Sequence, residues 1–331
     1  MVSLDDLDRL IVQLLQEDAR MSSGEMALRL GGVSDRVVRY RVNRLLDRRV
    51  VFLQAMVDPR RVGFPIVADI LIEVAPWKLA ETCARLLEME TVASASASHA
   101  GRQLSIQVNA RDEADLASFV NTALPQIEGF VSAHAVVVPF LIKDLAYWRP
   151  PDLAALGLRP ERSKRLEDRK GAGGRCLMDE LDRKIIALSQ EDPRMSSRDM
   201  ACRLGGISDR VVRYRMRRLL DSHILLVQAR VNPHAVGYPI VADTLVDVLP
   251  WKFADVCSAL AAMESVCYIS AAPAARGGRQ LSIETNSRNE GELAAFVKTQ
   301  LPRIDGIVGA QTMVVPRLVK DVATWRIPSS L

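Results

Sequence analysis

Apolar residues recur at helical spacing from the start of the chain. Leu7, Leu10, Ile11, Leu14 and Leu15 form one stripe behind Asp5, Asp6 and Asp8, an acidic run suited to a helix N-terminus. Ser22 and Glu25 have the spacing of a capping box for a second helix bearing Met26, Ala27 and Leu30. Gly31–Gly32 then turns the chain into a third helix. Ser34 is its N-cap, and Val38, Val42 and Leu45 repeat at i, i+4, i+7. Three helices with a tight turn before the third predict a helix-turn-helix plan.

The pattern then changes period. Phe64–Val74 reads as a strand and Trp77–Met89 as a helix. Thr91–His99 and Leu104–Val108 read as strands flanking Ala100–Gly101–Arg102. Glu113–Ile127 reads as a helix with Leu116, Phe119, Val120 and Leu124 inward, and Gly129 breaks it before a last strand, Phe130–Val138. The order βαββαβ predicts a ferredoxin-like sandwich with helices on one sheet face. The other sheet face needs cover.

That cover is available in the same chain, because the pattern occurs twice. Residues 31–47 and 205–221 agree at 14 of 17 positions, differing only at Val33/Ile207, Val42/Met216 and Asn43/Arg217. Leu7 pairs with Leu181 and Trp77 with Trp251 at an offset of 174. After an insertion around Pro273–Gly278 the offset is 177, pairing Trp148 with Trp325. The fold class expected is α+β: two copies of a three-helix, winged helix-turn-helix followed by a ferredoxin-like domain. The boundaries expected are 1–50 and 51–148 for the first copy, 178–224 and 225–326 for the second, and a basic linker at 149–177. That linker is rich in Pro, Gly and charge, which argues against a packed core. It reads as a solvated tether or as a contact to phosphates, with room for a short helix around Pro160–Lys170.

Charge sharpens the picture. Opposite its apolar seam the third helix carries Arg36, Arg39, Tyr40 and Asn43, with Ser34 and Arg44 beside them. The second copy carries Ser208, Arg210, Arg213, Tyr214, Arg217 and Arg218. Residues 34–49 hold six arginines against two aspartates, although the whole chain is only +4. A short helix with a basic, hydrogen-bonding face suits the DNA major groove. A solvated basic face is the plainer reading, and the repetition of the exposed arginines argues against it. Arg41 and Arg215 lie beside the seam and read as structural groups, bridging helices or reaching a phosphate, rather than as base readers. Tyr40 and Tyr214 read equally as DNA contacts or surface tyrosines.

Composition mainly excludes. The 331 residues exceed one typical domain. Five cysteines without a CxxC pair, and no secretory signal, predict free thiols in a cytoplasmic protein. The four histidines lack metal-ligand spacing, no apolar run reaches membrane-spanning length, and no catalytic motif is present. No catalytic residue, metal or cofactor is expected.

The run RMSSGEMALRLGGVSDRVVRYRVNRLLDRRVV followed by AMVDPRRVGF resembles the Lrp/AsnC (feast/famine) transcriptional regulators. The resemblance extends over about 1–148 and 178–326. It implies helix-turn-helix domains, a β linker and ferredoxin-like, RAM-type effector domains that dimerise through their sheets. This chain then looks like a covalently linked dimer, an intrachain pseudo-dimer that further assembles as a homo-oligomer. The resemblance also implies double-stranded DNA and a small-molecule effector, an amino acid or organic acid, as partners. The family's effector loop falls on Gly101, Arg102 and Gln103, and on Gly278, Arg279 and Gln280. The family's loop acid is absent here, so Arg102 and Arg279 favour an anionic ligand.

Other residues leave alternatives open. Asp69 and Asp243 occupy the same strand position in both copies and read as effector contacts or as hydrogen-bonded structural groups. The small residues Ala93–Ser98 leave room for a ligand or for close approach of a partner sheet. Trp77, Trp148, Trp251 and Trp325 read as core or interface anchors. The alternative function is a sirohaem-decarboxylase-like tetrapyrrole enzyme on the same two-domain plan. The segment Asn232–Tyr238 faintly resembles that family, with His234 as the candidate contact to a propionate.

Overall fold

A computed structural model of the chain describes residues 3–98, 102–138, 140–150, 178–273, 279–315 and 317–328. Part of the 149–177 linker, Cys176, His99, Ala100, Gly101 and Gly278 lie outside the described residues.

In the first copy the elements are α1 (Asp6–Glu17), α2 (Ser23–Leu30), α3 (Asp35–Asp47), β1 (Val51–Val57), β2 (Ile66–Val74), α4 (Leu79–Glu88), β3 (Val92–Ala97), β4 (Gln103–Ala110), α5 (Glu113–Ser118), β5 (Phe130–Val137) and β6 (Phe140–Lys143). The second copy repeats them as α6 (Glu180–Glu191), α7 (Ser197–Leu204), α8 (Asp209–Asp221), β7 (Leu225–Val231), β8 (Ile240–Val248), α9 (Phe253–Ala262), β9 (Val266–Pro273), β10 (Arg279–Ser287), α10 (Glu290–Ala295), β11 (Ile307–Val314) and β12 (Arg317–Lys320).

Helix starts follow the cap signals. Ser34 Oγ accepts the Val37 N–H at 3.4 Å, and Ser208 Oγ accepts that of Val211 at the same distance. Ser22 caps α2 by accepting from Glu25 N–H at 3.1 Å, whereas the Glu25 carboxylate turns to Arg29 at 3.8 Å. The reciprocal capping box forms instead at α1, between Asp5 and Asp8. Gly31 and Gly32, like Gly205 and Gly206, are both left-handed, with φ between 63° and 68°. Only glycine adopts two such residues in succession without strain, so the sharp entry into α3 and α8 depends on the pair. The helix expected over Glu113–Ile127 is real but irregular: after α5 the backbone widens into a π turn at Phe119–Ala123, then tightens at Leu124–Gln126 around Pro125.

The chain forms two compact units, and each draws on both copies. One comprises Met1–Val62 with Ala146–Gly237 and holds both helix-turn-helix domains; the other comprises Gly63–Leu145 with Tyr238–Leu331 and holds both sheets. The strands that follow positions 50 and 224, β1 and β7, fall in the first unit with the helices. β1 and β7 pair antiparallel with each other along their full length, Val51 opposite Val231, and pack with the helices of the first unit.

In the second unit the strand orders are β12-β3-β4-β2-β5 and β11-β8-β10-β9-β6. Each sheet contains the four ferredoxin-like strands of one copy plus a short fifth strand from the other copy. β6 and β12 are four residues each and lie beyond the last strand that the apolar pattern predicts. Lys143 of β6 donates to the carbonyls of Ala261 and Met263 at 3.1 and 3.0 Å, and Lys320 of β12 reaches Met89 O at 3.5 Å. A cation at a helix C-terminus satisfies carbonyls that have no intrahelical donor. The cores lie on the helix-bearing sheet faces, with Ile70, Ile72, Leu86, Leu104 and Ile106 in one and Val246, Leu260, Leu281 and Ile283 in the other. Trp148 and Trp325 are buried, the latter edge-on to Phe64. Trp77 and Trp251 are not core residues: they are 81% and 74% exposed, because each follows a proline in a surface turn.

Candidate nucleic-acid interface and the inter-sheet acidic cluster

In the helix-turn-helix unit, α3 buries Val38, Val42 and Leu45, and α8 buries Val212, Met216 and Leu219. The helical period then turns the opposite face outward. Arg36, Arg39, Tyr40 and Asn43 are exposed, as are Arg210, Arg213, Tyr214 and Arg217. Arg39 pairs with Asp35 at 2.5 Å and Arg213 with Asp209 at 2.7 Å, both as i,i+4 surface bridges. Such exposed pairs contribute well under about 1 kcal/mol, so either guanidinium can exchange its partner for a phosphate or a base edge.

Arg44 and Arg218 sit differently. Each turns inward onto a buried aspartate of the first helix, Asp8 or Asp182, and is about one-third exposed or less. Arg41 joins Asp8 at 3.0 Å and also Asp5, while Arg215 lies 3.3 Å from Asp182 and 2.7 Å from Asp179. The arginine pair expected to help grip DNA at Arg44 and Arg218 is thus employed in holding the reading helix to its neighbour. The helix-bridging role read for Arg41 and Arg215 is the one observed. Hydrogen bonds from Arg41 to Asp5 and Asp8 raise the Arg41 pKa, and the bond to Asp179 does the same for Arg215. Burial pushes Asp5 upward, but the Asp8 backbone N–H and Arg41 outweigh it and leave Asp5 below its usual value. The sequence showed Asp8 and Asp182 only as ordinary acids in a helix first turn.

Reciprocal arginines join the two reading heads. Arg20 donates to the carbonyls of Pro193 and Met195 at 2.5 and 3.0 Å, and Arg194 donates to Met21 O at 2.7 Å. Burial lowers the pKa of both guanidiniums, yet a guanidinium remains charged at any physiological pH. Nothing in the pattern of apolar residues marked this pair.

In the sheet unit, alternation sends one polar row from each sheet toward the other. Asp69 accepts from Gln107 Nε2 at 3.1 Å on its own sheet and from Ser270 Oγ at 3.3 Å on the other. Asp243 is held by the hydroxyls of Ser96 and Ser105, again across the gap. Burial first, then the negative charges of Glu284 and Asp69, push the Asp243 carboxyl well above its usual value. Burial and the Asp69 charge also raise the Tyr268 phenol. Asp69 and Asp243 border a cavity of about 30 Å³ that Ser105, His134 and Ser282 also line. A space of that size holds about one water and no amino acid. Asp69 and Asp243 thus serve close sheet pairing, and so does the small-residue strand Ala93–Ser98, where Ser96 and Ser98 are buried.

The other expected effector residues lie elsewhere along the strands. Gln103 pairs with Glu73 and Gln107 with Asp69, so the loop end is four residues from the acidic cluster. Arg102 is exposed. Gln280 donates to Asp247 at 2.9 Å, and its amide oxygen lies 3.3 Å from His134 Nε2 across the sheets. Arg279 starts β10, and its side chain is outside the described residues, as are Gly101 and Gly278. His234 lies exposed in the turn after β7, within the helix-turn-helix unit. No described helix is long and apolar enough to cross a membrane, and no described group of His, Cys, Asp or Glu could hold a metal ion.

An AsnC-type helix-turn-helix domain matches residues 4–46 and again 178–220. An uncharacterized HTH-type transcriptional regulator of Pyrococcus abyssi is 35% identical over 141 residues, which span 41% of this chain and 87% of that relative. The HTH-type transcriptional regulator FL11 of the same organism is 28% identical over 148 residues, 44% of this chain and 95% of the relative. Each relative thus corresponds in length to one copy. Over the whole chain, the crystal structure of the siroheme decarboxylase NirDL superposes with a TM-score of 0.63, covering 96% of this chain and 93% of that one. At 13% identity that match describes the fold alone.

Proposed function

The chain belongs to the Lrp/AsnC family of transcriptional regulators, and we propose that it binds double-stranded DNA sequence-specifically through α3 and α8 as a tandem, pre-paired regulator. One observation carries the reading. Arg36, Arg39 and Tyr40 recur as Arg210, Arg213 and Tyr214, and all six stand exposed on short capped helices. Ser34 and Ser208, at the helix starts, are positioned to add backbone contacts.

The sheet unit supplies the control function. A small-molecule effector binds at the loop ends around Arg102 and Arg279, outside the filled centre between the sheets, and an organic acid suits those arginines better than a zwitterion. The protein works in the cytoplasm, is not an enzyme, and assembles further into homo-oligomers. Selection of genomic DNA fragments on the purified full chain tests the reading. Enrichment of a defined sequence supports it, and uniform recovery refutes it.

A sirohaem-decarboxylase-like enzyme is the second reading, favoured by the fold match over nearly the whole chain. Against it stand the two near-identical basic faces, which tetrapyrrole chemistry does not need. An absorption spectrum of the protein before and after adding sirohaem separates the two: a shifted, stoichiometric Soret band favours the enzyme.

A further inference from the structure

The two reading heads are alike in shape but not in chemistry. On the exposed face of α3 and α8 the identity of Arg36/Arg210, Arg39/Arg213 and Tyr40/Tyr214 breaks at one place, Asn43/Arg217. Asn43 is exposed and has no hydrogen-bonding partner among the described residues. The Arg217 side chain is 84% exposed and, among the described residues, pairs with Asp221 at 3.5 Å on the same surface. Neither residue has a structural task that would account for its identity. Both stand one turn beyond Arg39–Tyr40 or Arg213–Tyr214 on the same stripe.

A second difference lies on the preceding helix. Gly24 is the second residue of α2, and a Cβ there would meet nothing within 4 Å. Its equivalent on α7 is Arg198, which is exposed. In helix-turn-helix proteins the helix before the reading helix crosses the phosphate backbone. Arg198 therefore stands where a phosphate contact would form on the second head, and the first head has no side chain there.

Given DNA binding by both heads, we infer that the chain reads an operator with two unlike half-sites, Asn43 selecting adenine and Arg217 guanine at the equivalent position. Asparagine bonds in bidentate fashion to adenine N6 and N7, and arginine to guanine O6 and N7. Two separate chains of one sequence must present identical heads and so favour a palindrome. Here β1 pairs with β7, and Arg20 and Arg194 bond across, within one chain, so the heads are joined and free to differ. A pair of this kind discriminates between bases by roughly 5- to 150-fold. Arg198 contributes affinity and salt sensitivity but no sequence preference.

The test is a binding-site selection from random duplexes with the full chain, its Asn43→Arg and Arg217→Asn variants, and the pair Gly24→Arg and Arg198→Gly. Wild type selects half-sites that match except at one position, adenine in one half and guanine in the other. Asn43→Arg selects guanine in both halves and Arg217→Asn selects adenine in both. Gly24→Arg and Arg198→Gly leave the selected sequence unchanged and move the salt slope up and down by about one. If wild type selects a perfect palindrome and the two reading-face variants bind as tightly to the same sequence, these positions touch only phosphate and the inference is overturned. If no sequence is enriched with wild type, the DNA-reading function itself falls with it.

Discussion

Asp182, fully buried in the first turn of α6, accepts a hydrogen bond from Arg215 Nη1 at 3.3 Å, and Arg218 of the same reading helix reaches it as well. Asp8 stands in the same place in the first head, with Arg41 and Arg44. One buried carboxylate thus fixes the roll of each reading helix, and so fixes which residues face outward. Removing it takes the shared acceptor from two partly exposed arginines, one of which keeps Asp179, and the loss of such charge-assisted hydrogen bonds costs about 1–3 kcal/mol. Asp182→Ala should therefore lower the denaturant stability of the chain by that order, whereas Arg213→Ala, on the exposed face, should change it by less than about 0.5 kcal/mol. Equal effects from both would contradict the assignment of roles.

Acid should loosen the same contacts. Asp5 and Asp179 are held below their usual value by the backbone N–H groups of Asp8 and Asp182 and by Arg41 and Arg215. A carboxyl with a depressed folded pKa contributes stability above its unfolded value, and that contribution is lost as pH falls through the folded one. Stability measured by denaturant titration should fall as pH drops below about 4, where ordinary aspartates titrate. The fall should be shallower in the double variant Asp5→Asn/Asp179→Asn. An unchanged slope would remove these caps from the account.

Asp243 has the opposite sign. Its folded pKa is raised by burial and by Glu284 and Asp69, so its contribution is most favourable at low pH and is lost as pH rises through the folded value. An asparagine in its place would keep an acceptor for Ser96 and Ser105 without the charge. Asp243→Asn should gain stability over wild type as pH is raised from about 4 towards 8, with no gain at the acid end. A constant difference across that range would show that Asp243 does not titrate there.

The parts of the fold that were legible in the sequence are local. The glycine pairs, the serine caps, the Val38–Val42–Leu45 seam and the alternation along β2 each act within a few residues. Pairing between copies was not legible. β1 with β7, β6 with β9 and β12 with β3 join short segments far apart in sequence, and a four-residue apolar strand reads much like any loop edge. The reading face was visible from its arginines. The inward turn of Arg44 and Arg218 was not, because it depends on Asp8 and Asp182, 36 residues earlier. Asp69 and Asp243 repeat visibly between the copies, but their partners Ser270, Ser96 and Ser105 lie across the sheet gap, where no local pattern points.

Exchange of β6 and β12 makes each sheet incomplete without the other copy. Residues 1–150 and 178–331, produced as two separate polypeptides in one cell, should copurify at equal stoichiometry through a tag on either. Analytical ultracentrifugation of the pair should give the same state of assembly as the intact chain. Two independent monomers would contradict the observed exchange.

The central claim is that both basic helices grip DNA together. The most direct measurement is the affinity of the full chain for its selected fragment as salt is varied, for wild type and for Arg39→Ala/Arg213→Ala. Several phosphate contacts predict a steep linear fall of log affinity with log salt, roughly 0.9 per contact. The double variant should bind orders of magnitude more weakly, with a shallower slope and an unchanged unfolding midpoint. Equal affinity and equal slope for the two proteins would contradict the account.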